Sequence, residues 1–193
     1  MGRRGAERPF YTALRRFLLR KARRLSPGKE FLMKAVSTNT RTLVRAALIA
    51  ALYTVLTLLL QPLSYGEVQI RFSEALTLLP ILLPEAVPAL AVGCLLANIL
   101  GGCTIFDIVF GTLATLLAAL CTRRLRNRFW LAALMPVLFN GVIVGAVVHY
   151  CYAPVFPLPL SMLSVAAGEA VACLVIGPLL IRVMQRIPQE LMA

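Results

Sequence analysis

Acidic residues are scarce in this chain: eight Asp and Glu stand against 20 Lys and Arg in 193 residues. Charge of either sign is thin, at 15% of residues, while 60% are hydrophobic and the mean hydropathy is +0.83. A soluble globular domain carries roughly a quarter charged residues. An ordinary cytosolic domain is therefore excluded, and an integral membrane protein is the class that fits. Histidine is nearly absent. His149 is the single one, so a Ser–His or Cys–His pair has one possible base, and its place at a helix end suits a polar end-group. No H-E-x-x-H, G-x-S-x-G or G-x-x-x-x-G-K-[ST] run occurs, so the motifs of zinc proteases, serine hydrolases and P-loop ATPases are missing. The five cysteines, Cys94, Cys103, Cys121, Cys151 and Cys173, lack C-x-x-C spacing. They read as small apolar packing residues; Cys103 and Cys151, both toward one face, are the pair placed to bridge. No metal and no cofactor is expected.

The charge that is present is unevenly placed. Residues 1–45 hold 13 of the 20 Lys and Arg against Glu7 and Glu30, a balance of +11, whereas residues 46–193 carry +1. A pI near 10.4 invites a nucleic-acid reading, but the hydrophobic body offers no soluble face for a basic stripe, so no nucleic acid is expected as a partner. The chain reads as three regions: a basic arm at 1–40, a membrane domain at 41–186 and a short tail at 187–193. Within the arm, Phe10, Leu14, Phe17, Leu18, Ala22 and Leu25 recur at helical spacing between Arg and Lys, as in an interfacial helix drawn to anionic lipid. The competing reading starts the protein at Met33-Lys34, with residues 1–32 an upstream extension. The arm is not a signal peptide, because no apolar core or small-residue cleavage site follows its charges before Leu43.

Five hydrophobic stretches run from Leu43 to Val183: Leu43–Leu60, Ala75–Leu100, Ile105–Cys121, Phe129–Tyr150 and Leu158–Val183. The second holds Pro80, Pro84 and Pro88 and is either one kinked span or two segments turning at Pro84–Glu85. Positive charge decides between them. With the arm on the cytoplasmic side, one span would put Arg123, Arg124, Arg126, Arg128, Arg182 and Arg186 outside. Two segments put all six inside and leave only Arg71 outside. Six membrane segments with both termini cytoplasmic are expected. The second segment, Ala75–Leu83, reaches only about 14 Å as an α-helix, and such a piece survives at membrane depth only when protein covers it. Aromatics mark the edges, with Phe129 and Trp130 inside and Tyr150, Tyr152 and Phe156 outside.

Polar residues inside these segments are the candidates for chemistry. A centrally placed acid costs about 2.5–3.5 kcal/mol to insert, against about 0.3–0.6 kcal/mol regained per apolar residue. Glu74, Glu85, Asp107 and Glu169 must therefore face a cavity, a partner or the protein interior. On six segments, Glu74, Asn98, Asp107, Asn140 and Glu169 converge toward the outer half, below an external stretch Tyr65–Ser73 that includes Gln69 and Arg71. Glu85 falls at the opposite turn and suits a helix N-terminus. A polar pocket for a small cationic or amphoteric solute is expected; interhelical hydrogen bonding is the plainer alternative for Asn98, Asn140 and Glu169. Small residues mark close packing: Ala46 with Ala50 and Ala47 with Ala51 on the first span, Gly93 with Ala97, and Gly141 with Gly145.

The run Glu67–Glu85, E-V-Q-I-R-F-S-E-A-L-T-L-L-P-I-L-L-P-E, resembles the segment typical of the QueT family, queuosine-precursor-binding S components of energy-coupling factor (ECF) transporters. The resemblance continues through Gly93–Asn98, Asp107–Thr115, Asn140-Gly141 and Gly168–Ala170, covers about Thr38–Arg186, and leaves residues 1–32 outside. It implies an all-α, six-transmembrane-helix bundle with a short irregular second segment. It further implies a multi-pass protein of a prokaryotic plasma membrane that binds its solute on the outer side. Two cytoplasmic ATPases and a membrane coupling subunit, the T component, would supply the energy. Ala46, Ala47, Ala50 and Ala51 match that family's docking face. The implied ligand is a 7-deazaguanine, with Glu74, Asp107 and Glu169 as carboxylate acceptors and Asn98, Asn140, Arg71 and Gln69 around the base. The alternatives are another vitamin or purine-like cargo on the same fold, or a membrane protein outside transport; an enzyme is not expected.

Overall fold

The computed structural model describes residues 27–60, 71–152 and 157–186, with side chains from residue 40 onward. Gln69 and the rest of 61–70, Phe156, most of the basic arm and the tail at 187–193 lie outside the described residues. The chain divides into two units, Met1–Leu43 and Val44–Ala193, and the second holds the helical bundle. All described elements are helical. α1 spans Pro27–Leu59 and α2 is a 3-10 helix at Phe72–Ile81. α3 is Ala86–Leu100, α4 covers 105–124, α5 is Phe129–Cys151 and α6 is Leu158–Gln185. Three helical stretches, Thr40–Leu59, Phe129–Cys151 and Leu158–Gln185, are long and apolar enough to cross a membrane.

The centre of the bundle is its shortest element. Eight consecutive residues of α2, Ser73 to Pro80, are buried, and α2 packs against α3, α4, α5 and α6. Its sequence disfavours a regular α-helix. Pro80 has no N–H to donate, and the Thr77 hydroxyl donates back to the Glu74 carbonyl at 2.5 Å, a local bond that competes with helical pairing. A 3-10 helix rises about 2.0 Å per residue, so overwinding lets these ten residues reach further than an α-helix of the same length.

Contacts at the two ends of α2 settle its direction. Arg71, just before α2, faces Asp107 near the start of α4 at 4.0 Å. At the other end, Arg123 in the last turn of α4 donates through Nη1 to the carbonyls of Pro80 and Ile81, at 3.0 and 3.3 Å. α2 and α4 therefore run parallel, and α3 must return between them. The chain turns at Pro84–Glu85, as the charge count expected, and does not continue as one kinked span. Glu85 sits at the N-cap of α3 and accepts from Arg45 Nη1 of α1 at 3.2 Å. α3 ends at Gly101, and the next residue, Gly102, takes φ +72°, a left-handed value that glycine adopts without the Cβ penalty.

Each of α4, α5 and α6 contains a π-helical turn: Asp107–Gly111, Asn140–Val144 and Val171–Ile176. Such turns widen the helix by one residue and recur at functional sites. Their local support is visible in α5. Pro136 cannot donate to the carbonyl of Ala132, and the Thr122 hydroxyl of α4 takes that place at 3.0 Å. Close approach of α5 and α6 depends on Gly145, where an added Cβ would stand 2.6 Å from Met162 Cα.

Candidate functional site

Arg71, Glu74, Asn98, Asp107, Asn140 and Glu169 are all buried, each with 4% of its surface exposed or less. They come from α3, α4, α5, α6 and the α2 region, and they form one connected polar set. Each π-turn stands beside a member. Asp107 and Asn140 are the first residues of their turns, and Glu169 lies two residues before the third. A π-turn shifts the side-chain register, which lets a polar residue point inward on a helix whose other positions meet apolar surroundings.

The first half of the set is built around Asp107. Its Oδ2 accepts from the Tyr152 hydroxyl at 3.1 Å, and Arg71 Nη2 approaches Oδ1 to 4.0 Å. Asn98 Nδ2 donates to the Asp107 carbonyl at 3.2 Å. Tyr152 in turn accepts from the Thr104 amide at 3.1 Å, linking the end of α5 to the loop between α3 and α4. Burial pushes the Tyr152 phenol up, against the opposing backbone hydrogen bond from Thr104, so it stays a donor toward Asp107 at neutral pH. The close wall here is Gly111, where a Cβ would meet Asn98 Nδ2 at 3.1 Å and Asp107 Oδ1 at 3.4 Å.

Glu74 and Glu169 make the second half. The Tyr53 hydroxyl of α1 donates to Glu74 Oε1. The Cys173 thiol lies 3.4 Å from the Glu74 carbonyl and 3.9 Å from Glu169 Oε2, which ties α6 to α2. The Asn140 amide faces both carboxylates as a donor, without closing a hydrogen bond of full geometry to either. Thr115, two turns beyond Asp107 on α4, faces Glu74 from a third side.

What distinguishes this set is unmet hydrogen-bonding capacity. Glu74 Oε2, Asn98 Oδ1, Asp107 Oδ1 and both polar atoms of Asn140 are buried without a hydrogen-bond partner. Leaving such a group unpaired costs about 1–3 kcal/mol each, more for charged groups, and native interiors tolerate few of them. The set also brings three carboxyl groups to a single guanidinium. Acceptors dominate: the arrangement suits a solute rich in N–H donors. It is distinct from the crevice of about 710 Å³ between α4, α5 and α6, lined by Phe106, Phe110, Leu113, Val142, Ile143 and Tyr150, whose lining is almost wholly apolar.

The small-residue face of α1 splits in two. Ala50 is buried, and Ala46 packs against the core cluster that contains it. A Cβ at Gly93 of α3 would lie 2.9 Å from the Ala50 carbonyl, and Thr54 donates to the Gly93 carbonyl at 3.0 Å. Ala46 and Ala50 thus serve the protein's own α1–α3 contact. Ala47 and Ala51 lie on the exposed side with Leu48, Leu52 and Val55. The overlapping motif narrows, as a surface for another protein, to Ala47 and Ala51. Glu85 belongs to the opposite end with Arg45. Cys103 and Cys151 are not joined by a disulfide. No group of three or more His, Cys, Asp or Glu able to hold a metal ion occurs among the described residues.

Tyr53, Thr115, Cys173 and Tyr152 belong to the set but do not stand out in the sequence. The signal for Tyr53 was its neighbourhood: Tyr53, Thr54 and Thr57 form a polar stripe on an otherwise apolar helix, and Thr57 donates to Ser73 of α2 at 2.7 Å. Thr115 follows Asp107 and Gly111 at spacing four, one face of a helix.

Residues 43–186 match the family described as QueT transporter. A protein of Lactococcus lactis subsp. cremoris (strain MG1363), "Queuosine precursor transporter QueT", is 36% identical over 81 residues, 41% of this chain and 47% of that protein. The matched part thus spans about half the length of that curated relative. No solved structure matches the chain.

Proposed function

The chain belongs to the QueT transporter family, and from that premise we propose that it binds a queuosine precursor of the 7-deazaguanine class and carries it across the membrane. The observation that carries this reading is the buried, incompletely satisfied polar set contributed by α2 to α6. A 7-deazaguanine presents a 2-amino group and a ring N–H on one edge, and carboxylate or amide oxygens are the partners such donors need. Asp107 Oδ1 and Asn98 Oδ1 are unmet and adjacent, and both accept. Arg71 supplies the complementary donor for the ring carbonyl, and Gln69, two residues before it, is the further candidate contact.

The mechanism we propose is that of an ECF S component. Six membrane segments, both termini cytoplasmic, would sit in a prokaryotic plasma membrane with the polar set in the outer half. Glu85, Arg45 and Arg123 would then mark the cytoplasmic end. No P-loop motif is present, so transport would draw on two separate ATPases through a membrane coupling subunit. The exposed strip of α1 with Ala47 and Ala51 is the surface we assign to that subunit, since small residues let helices approach closely in lipid. A thermal-shift panel on the purified chain tests the solute. Stabilisation by 7-deazaguanines and not by guanine or unrelated vitamins is expected, and stabilisation by a vitamin alone would reassign the cargo. Co-purification with two ATPases and a coupling subunit, lost when Ala47 and Ala51 are replaced by Leu, tests the assembly.

A further inference from the structure

We propose that Glu74 and Glu169, with Asn140 beside them, form a subsite for a protonated primary amine carried by the bound solute; the assignment rests on the solute reading above. The three buried carboxylates are not equivalent. Asp107 already faces the Arg71 guanidinium and accepts from the Tyr152 hydroxyl, so its charge is answered within the protein. Glu74 and Glu169 feel the same Arg71 guanidinium, so a single cation serves all three acids. Glu74 receives the Tyr53 hydroxyl on one oxygen and nothing on the other. Glu169 is approached through Oε2 by the Cys173 thiol at 3.9 Å, a weak donor.

The same thiol sits 3.4 Å from the Glu74 carbonyl, so one small side chain holds the two acids on a common wall. Asn140, 2% exposed, borders both carboxylates, and its Oδ1 and Nδ2 are unmet. An ammonium group has three N–H donors and no acceptor. Glu74 Oε2, a Glu169 oxygen and Asn140 Oδ1 are three acceptors of the kind it needs. It would also add a second cation where a single guanidinium serves three carboxyl groups. A neutral substituent of the same size supplies neither the donors nor the charge.

The test compares solutes that share the 7-deazaguanine ring and differ only at the 7-substituent, binding to the full chain in nanodiscs by calorimetry. The aminomethyl compound should bind at least ~30-fold more tightly than the cyano and methyl compounds, the scale of a charge-assisted hydrogen bond made in a buried site. Glu169→Gln should shrink that ratio to within about threefold by weakening the aminomethyl compound alone. Equal affinity of all three in the unaltered chain overturns the amine subsite while leaving the solute class intact, and this comparison needs no variant to fold. Equal weakening of all three by Glu169→Gln also overturns it. Failure of every 7-deazaguanine to bind overturns the solute reading together with the subsite.

Discussion

Where α2 ends, Arg123 donates to the last two carbonyls of the 3-10 helix and Arg45 pairs with Glu85. Where α2 begins, Glu74, Asp107, Asn98 and Asn140 keep buried polar atoms that nothing meets. Both ends bring charge to the same short element, but they use it differently. At the first end each charged group answers a need created by the fold: an open helix terminus and a turn acid. Those are structural roles, and they close. At the second end the fold brings polar atoms together and stops short of satisfying them. A free-energy cost retained inside a bundle calls for a partner that arrives later, and the proposed solute would be that partner. The pairing of a closed end with an open one is what supports the proposal that the open end is the site.

The largest effect expected from breaking this contrast is at the open end. Glu169→Ala should lower affinity for 7-aminomethyl-7-deazaguanine at least ~100-fold, equivalent to about 2.7 kcal/mol. The melting temperature of the solute-free protein should hold or rise, because a buried acid served by a weak thiol donor and the loosely placed Asn140 amide contributes little to stability. Asp107→Ala should lower affinity as well, but with lost stability, since Arg71 and Tyr152 both lose their acceptor. Calorimetry and thermal unfolding on the same samples read both quantities. Unchanged affinity in both variants would remove these residues from the site.

Arg123→Ala should do the reverse. Removing both hydrogen bonds to the Pro80 and Ile81 carbonyls leaves the end of a central buried helix unmet, at a cost of about 1.5–3 kcal/mol for bonds from a charged donor. Thermal unfolding should register the loss, while affinity measured below the transition stays within about threefold. An affinity loss matching that of Glu169→Ala would mean that the ends are coupled through α2.

The legible part of this division came from charge and cost. Counting Arg on either side of Pro84–Glu85 was enough to expect a return at that point, because the alternative put Arg123 to Arg128 and two later arginines on the wrong side. Glu74, Asp107 and Glu169 drew attention because lipid penalises them wherever they lie. The π-turns were illegible, since a one-residue widening leaves no compositional trace. The split of the alanine stripe was hidden for a different reason. Ala46 and Ala47 differ only in which side of α1 they occupy, and that depends on where Gly93 of α3 docks. The role of Tyr53 is hidden in the sequence because its partner, Glu74, is 21 residues away.

Within the closed end, Thr122→Val isolates a single neutral bond. The side chains are nearly the same size, so packing changes little, and the Ala132 carbonyl freed by Pro136 loses its donor. A destabilisation of about 1–2 kcal/mol is expected, smaller than for Arg123→Ala because the donor is uncharged. Thermal unfolding with unchanged solute affinity checks it. Full stability in the variant would show that the Ala132 carbonyl needs no partner at that position.

Arg45→Ala should give the smallest change of all, although it removes an ion pair. The Arg45 side chain is 27% exposed while Glu85 is 9% exposed, so solvent screens the pair from one side and its net worth is about 0–1 kcal/mol. Glu85 retains a second role that does not need Arg45: it stands at the N-cap of α3, where the helix dipole favours an acid. Arg45→Ala should therefore shift the unfolding midpoint less than Glu85→Ala, and high salt should erase most of the difference between unaltered protein and Arg45→Ala. A large, salt-insensitive loss in Arg45→Ala would mean that this end, too, holds a charge the fold cannot do without, and the contrast between a screened, replaceable pair here and the buried acids at the other end would fail.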